Sequence, residues 1–337
     1  MKLHTLSKTA ERIYWLGRYL ERAECTARLI NVNTVLLIDL PRGLSLGWRP
    51  LVEITGSVKA FDEHYDEPSE RNVVRFLTAD PRNGASLLSS LQFARENART
   101  IREIMPRVSF EYINELYLTT KQALTGTQSR ARRGDMLAEV MRRTQQIDGF
   151  LSGSMLHDAN WSFLRLGHFL ERADMTSRIV DVRTARVLIT PEQLEPFQQV
   201  QWRSILRSLH ALQSYQICVQ EPLQHALALD FLFHNEELPR SFRYCIEGIR
   251  RSLRRLPRNA KPLARCNVIV RRLAEVNVKW LSDEALHEFI DHWQLMLAEL
   301  HDLIGDTYFH ARLRVRRRAE QADDAETDVE PAVVNIR

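Results

Sequence analysis

Residues 12 to 32 and 162 to 182 are two versions of one segment, RIYWLGRYLERAECTARLINV and SFLRLGHFLERADMTSRIVDV. From Leu16 and Leu166 onward, nine of 17 positions are identical at an offset of 150. Neither copy contains proline, and both have helical composition, so each can be drawn on a wheel at ~100° per residue. Leu16, Leu20, Ala23 and Ala27 then share one apolar arc. Gly17, Glu21, Glu24 and Arg28 form an adjoining stripe at spacing i, i+4, i+7, i+11. The stripe recurs as Gly167, Glu171, Asp174 and Arg178. Glu24 falls almost within the apolar arc, where a carboxylate without a partner is costly.

The rest of the chain fits a helical setting for these two segments. Twelve glycines and 12 prolines in 337 residues leave few breaks in the long 3.6-residue periodicities. The expected fold class is all-α. Cys25, Cys218, Cys245 and Cys266 are scattered without a C-x-x-C spacing, which points to a reduced, cytoplasmic setting rather than disulfides or a zinc site. The N-terminus lacks an apolar leader, and no stretch reaches ~18 uninterrupted apolar residues, so no membrane role is expected. Net charge is +4, from 47 basic and 43 acidic residues, which is no general basis for nucleic-acid binding.

The breakers predict helices over about 8 to 39, 48 to 62 and 70 to 77, then one that Pro106 ends. Further helices are expected from a Ser109 cap to Gly126, from 133 to Gly149 or Gly153, and from 157 to 190. The remainder read as 193 to 219, 223 to 233, 241 to 256, 263 to 280 and 282 to 316. Weaker matches at offsets 154 and 155 link Trp48-Arg49 with Trp202-Arg203, Phe76-Leu77 with Phe231-Leu232, and Arg95 and Arg99 with Arg250 and Arg254. They suggest two related helical-bundle halves, 1 to 150 and 151 to 315, each led by its long helix. Residues 316 to 337 form a basic run followed by an acidic one, the composition of a disordered tail.

The candidate polar site is the doubled stripe itself: Glu21, Glu24, Arg28, Glu171, Asp174 and Arg178, with His157, Asp158 and Arg165 preceding the second stripe. Two accounts compete. In one, the carboxylates and arginines line a site for a metal, a phosphate or an amino-acid-like ligand. In the other, Glu24/Arg28 and Asp174/Arg178 are i, i+4 pairs that hold two crossing helices together, with Gly17 and Gly167 allowing close approach. Arg82, Asn83, Arg95, Arg99 and Arg240 are candidate anion contacts, Arg82, Asn83 and Arg240 lying just before helix starts, where N–H groups favour anions. No transition-metal site is expected. Glu284-x-x-His287 stands alone, and His287 and His292 are five apart, so they cannot share a helix face. A weak magnesium site on carboxylates remains compatible. There is no G-x-x-x-x-G-K-[ST], G-x-G-x-x-G or G-x-S-x-G, so the chain carries no nucleotide motif of its own.

With those segments and the middle stretch ARENARTIRE, the chain resembles the bacterial alpha-E domain family over nearly all its length up to the tail. That resemblance implies partners: a circularly permuted ATP-grasp ligase and a transglutaminase-like cysteine peptidase. It further implies a role in an ATP-dependent amide-bond-forming or peptide-modifying system, with Mg-ATP met only through the ligase and no cofactor of the chain's own. A helper or substrate-handling subunit is the leading expectation. A non-catalytic scaffold and a stand-alone carboxylate enzyme are the alternatives.

Overall fold

The computed structural model describes residues 7–39, 47–126, 129–184, 191–281 and 283–310, and among these every regular element is helical. The expected tail lies outside the described residues, as do Pro41-Arg42-Gly43 after the first expected helix and Ser282 at the start of the last. No helix among those described is long and apolar enough to cross a membrane.

The two repeated segments form the long helices α1 (Ser7–Asp39) and α8 (Ala159–Thr184), which pack on one another more extensively than any other pair. Helix α1 also carries α5 (Leu87–Ile101) and α7 (Arg130–Ser154), and α6 (Arg107–Ala123) closes that ring by packing on both. Helix α8 carries α12 (Phe242–Arg254) and α14 (Asp283–Ile304), and α13 (Ala260–Glu275) closes a second ring in the same way. Two four-helix groups thus share a seam formed by their leading helices, and one hydrophobic core runs through both. Because neighbours surround α1 here, residues Ala23 to Ile30 are buried without interruption. A single apolar arc underestimates how completely this helix is enclosed.

Serine caps start several of the flanking helices. Ser86 accepts the Ser89 N–H at the start of α5, and Ser241 accepts the Tyr244 N–H at the start of α12. Helix α6 starts differently from the sequence expectation: Pro106 is its N-cap, and Ser109 lies in the first turn, fully buried. Proline has no side-chain acceptor, so the first N–H groups of α6 have no side-chain cap.

Two expected helices are each broken once. The 48 to 62 stretch divides into α2 (Arg49–Ile54) and α3 (Val58–Asp62), because Gly56 takes a left-handed φ of +65°. The Arg178 guanidinium lies 3.0 Å from where a Gly56 Cβ would stand, so this turn supports the neighbouring long helix. The 193 to 219 stretch divides into α9 (Pro191–Ser208) and α10 (Leu212–Val219) at His210, which has φ of +51°. A non-glycine residue in that region is uncommon, so the break is not visible as a glycine or proline in sequence. Helix α4 (Glu70–Thr78) and α11 (His225–His234) fall close to their expected positions, and α13 is followed by a short 3-10 turn, Val278–Trp280. Helix α14 ends in a π turn, Gly305–Phe309.

Candidate functional site

The seam between α1 and α8 is set by glycine. A Cβ on Gly17 would collide with the Leu164 carbonyl oxygen, and one on Gly167 would collide with the Tyr14 carbonyl oxygen. The helices therefore meet backbone to backbone, which brings the charged residues one turn further on within reach of the opposite helix.

Pairing across the seam is reciprocal. Glu171 accepts 2.6 Å bonds from Arg18 Nε and Arg22 Nε on α1. Glu21 accepts from Arg172 Nε at 2.9 Å and Arg172 Nη2 at 2.8 Å on α8. Arg240, from the loop before α12, donates to Glu21 at 2.7 Å and to both oxygens of Glu24 at 2.9 Å. Glu24 also accepts from Arg28 at 3.0 Å and from Gln145 of α7 at 3.1 Å. All three glutamates are at most 5% exposed. Asp174 stands apart: it is only partly buried, and Arg178 at 2.9 Å is its ion-pair partner. The two aligned i, i+4 pairs are thus not equivalent, since Glu24 is shared among Arg28, Arg240 and Gln145.

Burial raises the carboxyl pKa values, but the guanidiniums outweigh it. Arg172 and Arg240 hold Glu21 well below the usual carboxylate range, and Arg22 and Arg18 bring Glu171 to about 2. All three carboxylates are ionised at neutral pH, which suits them to charge pairing and not to proton donation. Cys25 lies among them, and burial together with Glu21 pushes its thiol up to about 12. It is a protonated group and not a thiolate nucleophile.

A partly open cleft of about 200 Å³ lies on the Glu21/Glu24 side of the seam. Its wall includes Glu21, Glu24, His168, Arg172, Arg240, Gln145 and Asp148, with Leu20, Leu151 and Leu164 as apolar surface. His168 is 6% exposed, and its Nδ1 lies 3.5 Å from Glu21. Burial and Arg172 depress its pKa well below the usual histidine value, so the ring is neutral. Arg165 stands near Asp148, bonded to it at 3.0 Å, and packs over the Phe169 ring at 4.4 Å. Glu171, Arg18 and Arg22 do not line this cleft.

The remaining candidates have local roles. His157 is exposed, stacks on Trp161 with ring centroids 4.3 Å apart and donates to the Ser152 carbonyl. Asp158 caps α8 by accepting the Asn160 and Trp161 N–H groups. Arg82 pairs with Asp80, while Asn83 donates to the Phe76 carbonyl and accepts the Ala85 N–H. Arg95 bonds Asn114 and Glu96, and Arg99 bonds Glu96. Arg240 is the exception among the anion candidates, because it is buried inside the seam. Sequence reasoning did not single out Arg18, Arg22, His168, Arg172, Gln145 or Asp148 as site residues. Arg22 and Arg172 stand within the repeated match, and that was their available signal. Asp181, His287 and Asp291 also come together, with one ligand atom from each within 4.8 Å of the others. Asp181 comes from α8, so the grouping has no short-range signature.

The titrations give a testable profile. His210 and His301 are held at about 4, by burial first and then by Arg28 for His210 and Arg18 for His301. Below the free-histidine pKa of about 6.5 the unfolded chain takes up protons that the folded one refuses, so stability falls as pH drops toward about 4. The Glu171 contribution is complete above about 4.5 and is lost as pH falls toward about 2. The urea midpoint is therefore expected to decline steadily from pH 7 to about pH 5.5, above the range in which ordinary carboxylates take up most of their protons. A flat midpoint over that interval would contradict the neutral buried histidines.

The family described as "a predicted alpha-helical domain with a conserved ER motif", Alpha-E, matches residues 5–309. Uncharacterised proteins of Mycobacterium bovis and Mycobacterium tuberculosis are 22% identical over 266 residues, covering 73% of this chain and 29% of theirs. The chain thus spans less than a third of the length of the curated relatives it matches. No solved structure matches it. The chain belongs to the alpha-E domain family.

Proposed function

We propose that this chain is a cytoplasmic substrate-handling subunit that works beside an ATP-grasp ligase in an amide-bond-forming or peptide-modifying system. The observation that carries this reading is the cleft at the seam, where Glu21, Glu24, Arg172 and Arg240 meet beside apolar surface. Ion pairs that only hold helices together need no such opening. The lack of a phosphate-binding loop leaves activation by ATP to a partner, with Mg-ATP entering only there. The relatives' greater length supports a domain that operates next to further machinery. A transglutaminase-like peptidase is the second proposed partner.

One observation favours a structural role for part of the network. Glu171, Arg18 and Arg22 are tied to one another, and none of them lines the cleft. We assign that half to holding the seam. A stand-alone acid–base enzyme fits less well, because a general acid needs a raised pKa and Glu21, Glu24 and Glu171 are all lowered. Tagged chain co-expressed with the neighbouring ATP-grasp ligase is expected to retain it through purification, and the chain alone is expected to show no ATP turnover. Enzyme-like ATP hydrolysis by the isolated chain would contradict the proposal.

A further inference from the structure

Behind the cleft, Arg28, Arg172 and Arg240 pair with two carboxylates among the described residues, Glu21 and Glu24. Asp148, a third carboxylate in the cleft wall, is balanced by Arg165, and His168 is neutral. One positive charge is therefore left over among groups that are all less than a tenth exposed. A buried charge without a counter-charge is costly, and this one borders an opening. The donors agree with the charge. Arg172 has five N–H hydrogens, and three hydrogen bonds, two to Glu21 and one to the Pro239 carbonyl, account for its partners. His168, in the same wall, has no partner for Nε2. Room for about one amino-acid-sized group is available, since a cavity of ~150 Å³ already holds a benzene ring.

We infer that the cleft binds the carboxylate of a small, singly charged ligand, held by the spare N–H groups of Arg172 and completing the charge balance of the Arg28, Arg172 and Arg240 cluster. The Leu20, Leu151 and Leu164 surface accommodates the ligand's apolar part. A guanidinium with two open donors favours a planar carboxylate, which it can meet with parallel hydrogen bonds. A single excess charge favours a monoanion over a dianion such as phosphate at neutral pH. This inference rests on the cleft being the working site proposed above.

The test is calorimetric titration of the full chain at neutral pH and low salt with glycine, N-acetylglycine, N-acetylglycinamide and inorganic phosphate. N-acetylglycine, a monoanion at neutral pH, is expected to bind in the millimolar range or tighter, and glycine, a zwitterion without net charge, more weakly. The amide, which lacks the carboxylate, is expected to show no heat, and phosphate is expected to bind more weakly than N-acetylglycine. Arg172→Lys keeps the charge and removes the open donors, so N-acetylglycine affinity should fall by about tenfold or more. Equal binding of N-acetylglycine and its amide, tighter binding of phosphate, or no binding of N-acetylglycine would overturn the inference. The wild-type panel decides this even where the variant does not fold. Failure here with ligase retention intact removes the carboxylate site and leaves the partnership, whereas carboxylate binding without ligase retention does the reverse.

Discussion

Replacing Gly167 with alanine is expected to lower stability by about 3 kcal/mol or more, at the upper end of what overpacking costs. The added Cβ would meet the Tyr14 carbonyl oxygen, and a backbone atom of a fully packed helix cannot turn aside as a side chain can. The cost follows from forcing α1 and α8 apart, which would also stretch the charge-assisted bonds of Glu21 and Glu171. Gly17→Ala should act in the same direction through Leu164. Gly149 in α7 supplies the control, because an added Cβ there meets nothing within 4 Å. Gly149→Ala should raise stability by up to about 1 kcal/mol, the ordinary helix-propensity gain. Urea midpoints of the three variants measure this. Equal effects at Gly149 and Gly167 would contradict a glycine-set seam.

Glu171→Gln is expected to cost about 3–5 kcal/mol, because it leaves Arg18 and Arg22 facing a neutral group in a buried place. Asp174→Asn should stay within about 1 kcal/mol, since its pair with Arg178 is partly solvated. Both residues belong to the same repeated stripe, and burial together with the two guanidiniums across the seam separates Glu171 from Asp174. Glu24→Gln lies between these, and Arg28→Met should not restore it, because Arg240 would remain beside the altered group. Similar losses in Glu171→Gln and Asp174→Asn would show that the seam's ion pairs are not its lock.

Much of this arrangement was legible before any coordinates. Gly17 and Gly167, set a turn before a repeated Glu-Arg, mark two helices that touch, and the structure places both glycines at the contact. The i, i+4 spacing of Glu24 and Arg28 correctly indicates one of their bonds. Spacing along one helix cannot show a partner on another, so the exchange of Glu21 with Arg172 and of Glu171 with Arg22 stayed hidden. It depends on crossing angle and register, which tertiary packing decides. Gln145 was invisible for the same reason, reaching Glu24 from α7 across 121 residues of sequence, and Asp148 meets Arg165 from a different helix. His168 occupies the position aligned with Arg18, so the repeat itself drew attention away from it. The turn at Gly56 was readable from a glycine flanked by threonine and serine. The one at His210 was not, because nothing local distinguishes a histidine that will adopt positive φ.

The central claim is that the seam has two halves, a lock at Glu171 and a working cleft at Glu24. The most direct measurement is ATP-dependent amide formation by the chain together with its ATP-grasp partner, comparing wild type with Glu24→Gln after circular dichroism confirms that both are folded. The account predicts that Glu24→Gln stays folded and loses most of the coupled activity. Full activity in the folded Glu24→Gln protein would contradict it and leave the whole network structural.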